Sequence, residues 1–236
     1  MGEVPRKSWT QILAALDSHE RPILFQWATQ RSFALGEDVR AQLGAAIDRE
    51  IPTDAFVAMD YTLDWLYAAT VICQGADPLS TLQQWPVNQL LLRASIEDID
   101  LLIAWEDRHQ HRHTVLVEAK AFTGWTNKQM QGKIDRLAAI FGGDLASAFD
   151  VHFVMAGPKA SKGLKTQHWP AWTGSEDRRH FLSIPDPGAR YAVQRCTETG
   201  KPTSKGPTHW RILKRTWATG TQAPIKGIAT TADDVT

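Results

Sequence analysis

Asp100 heads one apolar run, Leu101–Trp105, and Glu118 closes another, Val115–Val117, with Lys120 two residues further on. In an extended chain a period of two puts Glu118 and Lys120 on one face. The connector between the runs, EDRHQHRH, is too polar to be anything but a surface turn. If the runs pair antiparallel through it, the start of the first lies beside the end of the second, and Asp100 comes within side-chain reach of Glu118. Two carboxylates converging at a sheet end suit Mg²⁺, which takes a few hard oxygens and keeps several waters. A lysine on the same side can orient or help deprotonate a water, while the metal polarises a phosphoryl oxygen. Asp98 is the rival to Asp100, on the same strand face two residues earlier. Spacing favours Asp100, because Leu101-Leu102-Ile103 follow it directly.

The elements that must position these groups follow in order. Leu101–Trp105 and Thr114–Glu118 read as a hairpin. Asn127–Phe141 reads as a helix, with Met130, Ile134, Leu137, Ala138 and Phe141 at helical spacing and Gly142-Gly143 ending it. Val151–Met155 reads as a buried strand. Upstream, Ser8 caps a helix to about Ser18, Arg21-Pro22 stops it, and Ile23–Phe25 starts a strand or a second short helix. A helix follows over 37–49, with acids in its first turn. Residues 54–73 read as one helix, apolar nearly all round and therefore buried on most sides. A short helix over 79–84 and a strand over Val87–Ser95 complete the approach to the hairpin. Beyond Gly157, residues 158–179 form a long loop and Phe181–Ile184 a strand. Tyr191–Thr197 and Trp210–Thr216 then form a second hairpin around a Gly/Pro/Lys-rich loop. Helices first, then strand–strand–strand–helix–strand, predict an α/β domain with a mixed sheet.

Asp100, then Glu118-Ala119-Lys120 after an apolar strand, then a helix, resembles the PD-(D/E)xK nuclease superfamily, the fold of restriction endonucleases. The likeness covers roughly residues 96–156, and Ile99 stands where that family often has proline. It implies a restriction-endonuclease-like core, a central mixed β-sheet flanked by helices, with N-terminal helices and a C-terminal β-hairpin extension. On that expectation residues 1–52 are a helical segment, 53–185 the core, 186–220 the hairpin extension and 221–236 a flexible tail. It implies that Asp100, Glu118 and the carbonyl of Ala119 bind Mg²⁺ (Mn²⁺ as substitute) and that Lys120 assists the attacking water. A Gln or basic residue on the following helix often joins, and Gln129, Gln131 and Lys133 are the candidates, with Gln129 preferred. An upstream acid completes many such sites; Asp60 or Asp64, one helical turn apart in this reading, could serve, with Asp64 the preferred ligand. The implied activity is metal-dependent hydrolysis of phosphodiester bonds in nucleic acid, expected to be DNA.

Charge agrees with a polyanionic partner. Residues 151–236 carry 13 Lys/Arg against 6 Asp/Glu, and residues 1–150 carry 13 against 20. Trp125, Asn127, Lys128 and Lys133 around the helix start, and Lys162 and Lys165 in the long loop, are the expected nucleic-acid contacts. Arg178, Arg179, Lys201, Lys205, Arg211, Lys214 and Arg215 add further basic groups. His109, His111 and His113 alternate as metal ligands on a strand could. Beside Arg108 and Arg112 a solvated turn is the preferred reading. Two cysteines, Cys73 and Cys196, make no disulfide framework, and the longest nearly apolar run, Trp65–Cys73, is about half a bilayer span. MGEVPRKSW has no apolar signal region. These features predict a cytoplasmic protein with no membrane partner; a homodimer stays open. No P-loop, zinc finger or Ser/His/Asp triad is legible.

Overall fold

The computed structural model describes residues 7–75, 82–84, 86–93, 97–122, 124–143, 147–161, 163–175, 179–185, 190–215 and 222–224. They form an α/β fold in two compact units. One comprises residues up to Ala119, Trp125–Ala156 and Ala160–Leu182; the other comprises Lys120–Gly124, Gly157–Lys159 and the chain from Ser183.

The first unit is built on a five-stranded mixed sheet in the order β1-β2-β3-β4-β5. Its strands are β1 (Phe56–Thr62), β2 (Asp98–Glu106), β3 (Arg112–Ala119), β4 (Phe149–Gly157) and β5 (Phe181–Ser183). β1, β2 and β3 are antiparallel neighbours, with Leu101 opposite Val117 and Glu106 opposite Arg112. β3 and β4 run parallel, Thr114 beside Val151 and Glu118 beside Met155. A parallel pair needs a crossover, and α5 (Asn127–Ile140) provides it. Before the sheet come α1 (Trp9–Leu16), α2 (Glu20–Thr29) and α3 (Glu37–Ile47), and α4 (Leu63–Cys73) follows β1 directly.

Each element has a local cause. Ser8 closes a capping box with Gln11, its hydroxyl accepting the Gln11 amide at 3.2 Å. α1 then buries Trp9, Ile12 and Leu13; the Trp9 indole meets Phe149 edge-on at 4.8 Å and donates to Thr114 Oγ1. α5 is capped by Thr126 and buries Met130, Ile134, Leu137 and Ile140 in the same core as Leu102, Leu116 and Phe153.

Three stretches depart from the sequence expectation. Residues 54–73 are not one helix: Phe56–Thr62 is the edge strand β1, and only Leu63–Cys73 is helical. Pairing with β2 supplies β1's backbone partners and overrides the helix-like apolar pattern. Ile23–Phe25, read as a strand or a second short helix, takes the helical alternative inside α2, whose first turn accommodates Pro22. The described part of the expected strand Val87–Ser95, residues 87–93, is not a strand: it bends and turns over 87–91, where the Asn88 side chain accepts the Leu90 amide at 2.9 Å. Of the expected helix 79–84, residues 79–81 lie outside the described residues and 82–84 are not helical.

The hairpin connector is a turn held by Asp107, whose Oδ1 accepts the amides of His109 and His111 at 2.8 and 2.9 Å. The histidines do not converge. His109 and His111 are exposed, while His113 is buried, stacked on Trp105 and hydrogen-bonded to Asp150 at 3.1 Å. Around Asp150 gather Arg49 (2.8 Å) and His152, whose Nε2 lies 3.1 Å from Asp150 Oδ1 outside hydrogen-bonding geometry. Burial pushes His152 below the usual imidazole range, against the opposing pull of Asp150. Burial alone would raise Asp150, yet Arg49 and His152 outweigh it and hold the carboxyl low.

A folded-state His152 pKa below about 6.5 means that the unfolded chain binds the proton first. Stability is therefore full above pH ~6.5 and falls as the pH drops below it. A melting-temperature series from pH 8 to 5 should show that loss, and His152→Gln should flatten it. An unchanged acid limb in the variant would refute the assignment.

The second unit is a three-stranded antiparallel sheet, β6 (Arg190–Cys196), β7 (His209–Arg215) and β8 (Gln222–Pro224). β8 lies where the sequence reading began the tail; residues 225–236 are outside the described set. No helix among the described residues is long and apolar enough to cross a membrane.

Candidate active site

β2 and β3 bring their acids together as antiparallel pairing requires. Their register, continued one step from Leu101 opposite Val117, sets Asp100 against Glu118. The Ala119 amide donates to Asp100 Oδ2 at 2.6 Å, so the aspartate is fixed on the backbone between Glu118 and Lys120. Asp98 takes part through its main chain instead: its carbonyl accepts from Lys133 Nζ at 2.6 Å.

Glu118 is 1% exposed, and Lys133 Nζ donates to its Oε2 at 2.5 Å. Lys133, named both as a nucleic-acid contact and among the helix residues that could join the acids, is 5% exposed and takes the second place. Its place on α5 explains this, since Met130, Lys133, Ile134 and Leu137 share the face turned to the sheet. A buried ammonium needs a charged partner, and Glu118 is one. Sequence spacing could have found it: Lys133 falls on the apolar face of a helix otherwise filled by Met, Ile and Leu.

One turn further along α5, Arg136 is fully buried. It pairs with Asp64 through Nη2, with Glu97 at 2.9 Å, and donates to the Leu90 carbonyl at 3.0 Å. Asp64, in the first turn of α4, also accepts the Arg93 amide at 3.2 Å. The upstream acid proposed as a metal ligand is thus engaged by Arg136. Arg136, Glu97 and Arg93 carried no signal in the sequence beyond being charged.

Asp60 lies on β1, not on a helix with Asp64, and would face Asp100 in the β1–β2 register. Its φ is +55°, a left-handed backbone that costs a non-glycine residue energy. His19 Nε2–H donates to its carbonyl at 2.7 Å, which secures the turned-out peptide.

Gln129 is exposed, one turn before Lys133 on the same side of α5. Lys128 is exposed too. Asn127 pins the long loop, donating to the Gly163 carbonyl at 3.1 Å and accepting the Lys165 amide at 2.7 Å. Lys165 is exposed beside it; Lys162 lies outside the described residues. Trp125 is half-buried, packed on the core and edge-on to Phe181 at 6.5 Å. Lys120, the first residue after β3, is half-buried and groups with the second unit.

Among the described residues, no group of three or more His, Cys, Asp or Glu converges to hold a metal ion. Asp100 and Glu118 are two carboxylates that the β2–β3 register sets opposite each other. Mg²⁺ is commonly held by one or two carboxylates and water, so these residues fit it. The buried ammonium on Glu118 shows that this carboxylate already pairs with a cation. No protein-family model, curated protein or solved structure matches this chain, which leaves its own residues as the ground for a functional reading.

Proposed function

We propose that this chain is a divalent-metal-dependent nuclease that hydrolyses phosphodiester bonds of DNA, built on a restriction-endonuclease-like core. The observation that supports it best is the Asp100 carboxylate on the Ala119 amide, which puts a second acid beside the Glu118-Ala119-Lys120 triplet. Asp100, Glu118 and the Ala119 carbonyl would hold Mg²⁺ or Mn²⁺, which would polarise the phosphoryl oxygen and acidify a bound water. Lys120 would orient the attacking water by donating to it and would offset the charge that develops on it. Gln129 reaches the same phosphate from α5. Asn127, Lys128 and Lys165 follow the flanking backbone, with Lys128 and Lys165 supplying positive charge.

A second reading has its own support. With Lys133 on Glu118, the acid is already neutralised in the fold. A nucleic-acid-binding module that no longer cuts would look the same.

Incubation with plasmid and with RNA in Mg²⁺ or Mn²⁺ separates the two. The nuclease nicks or cuts DNA, EDTA stops it, and Lys120→Ala lowers the rate by about 10²-fold or more. Folded wild-type protein that cleaves neither substrate in either metal would sink the nuclease and leave the binding module.

A further inference from the structure

The outer hairpin has a face of its own. In an antiparallel ladder, directly opposed residues point to the same side. Tyr191 is opposite Lys214, Val193 opposite Ile212 and Arg195 opposite Trp210. All six are exposed, Tyr191 at 60% and Trp210 at 66%. The alternate residues behave differently: Cys196 and Leu213 are buried, and Gln194 accepts from Arg211 at 2.9 and 2.6 Å. One side of the sheet is therefore closed, and the other presents two aromatic rings, two β-branched side chains and two cations. From Arg190 to Arg215 the chain carries seven Lys/Arg and a single acid, Glu198.

We infer that this face binds single-stranded nucleic acid, with bases stacked on Tyr191 and Trp210 and phosphates paired with Arg195 and Lys214. The charge selects a polyanion. The rings select its form, because a duplex hides the base faces that a flat aromatic platform needs, whereas a single strand offers them. Four residues along a strand separate Tyr191 from Trp210's partner Arg195, about 13 Å. The two rings are therefore stations for different bases, with Val193 and Ile212 between them. The inference rests on the reading that the chain handles nucleic acid, but not on cleavage.

Fluorescence anisotropy in EDTA, with a labelled oligo-dT of about 12 nucleotides and a duplex of equal length, tests it. The single strand should bind more tightly than the duplex. Trp210→Ala and Tyr191→Ala should each weaken it by about 5- to 100-fold. Arg195→Ala should reduce the steepness of the salt dependence. All three side chains are exposed, so thermal melts should match wild type and keep a binding loss interpretable. Arg108→Ala, exposed in the β2–β3 turn and no part of this face, should bind the single strand as wild type does, which separates contact at this face from a general loss of positive charge. Equal affinity in Trp210→Ala and Tyr191→Ala, preference for the duplex, or no binding would overturn the inference. So would a concentration-dependent rise in mass that Trp210→Ala removes, since the face would then be covered by a second copy.

Discussion

Arg136→Met should lower stability by about 3 kcal/mol or more and the melting temperature by about 6–12 °C. The guanidinium has no exposed surface and meets Asp64, Glu97 and the Leu90 carbonyl. Removing it takes the shared cation from two mostly desolvated carboxylates, leaves Glu97 paired with Arg93 at 3.3 Å, and strands the Leu90 carbonyl as well. Methionine fills much of the same volume, so the loss reads out charge rather than a cavity. The triple variant Arg136→Met/Asp64→Asn/Glu97→Gln should recover most of the loss, because the orphaned charges are then gone. Differential scanning fluorimetry at constant pH checks both. A single variant melting within about 2 °C of wild type would show that the arginine does not bind this corner together.

The hairpin and its crossover helix were legible for physical reasons. Leu101–Trp105 and Val115–Val117 are buried runs bracketed by charge, and antiparallel closure of so polar a connector leaves few registers open. The juxtaposition of Asp100 with the Glu118 triplet follows from that register alone. β1 was hidden because its buried residues, Ala58 and Tyr61, are three apart, a helical spacing, with left-handed Asp60 between them. No glycine or proline separates it from α4, so strand and helix merge into one apolar stretch. The density of Phe56, Val57 and Tyr61 was the available signal for a strand.

The acids near the hairpin were legible as a charge cluster, but not their pairing. Glu97, Asp98, Asp100 and Glu118 crowd two strands, and sequence cannot say which cation answers which acid. The answer comes from helical phase. Lys133 and Arg136 are three residues apart on α5, one turn of one face, and each meets different acids. A lysine that reads as a phosphate contact by composition becomes an internal counter-ion once the helix is docked.

That counter-ion gives the sharpest separation of the two functional readings. Lys133→Met should cost about 3–5 kcal/mol in EDTA, because Glu118 keeps its buried position and loses the ammonium at Oε2. Were the carboxylate a metal ligand, a divalent ion would take over the neutralising charge. Mg²⁺ at 100 times its dissociation constant should then return about 2.7 kcal/mol. The wild type should gain less, since Lys133 competes for the same oxygen and the ion must displace it. The measurement is the Mg²⁺-induced change in melting temperature of both proteins, with Ca²⁺ and high NaCl as controls for general ionic effects. A larger Mg²⁺ response in Lys133→Met supports Glu118 as a ligand independently of any cleavage. Identical responses in the two proteins would assign the Glu118 charge to Lys133 alone, and the non-cleaving module would then be the better account of the fold.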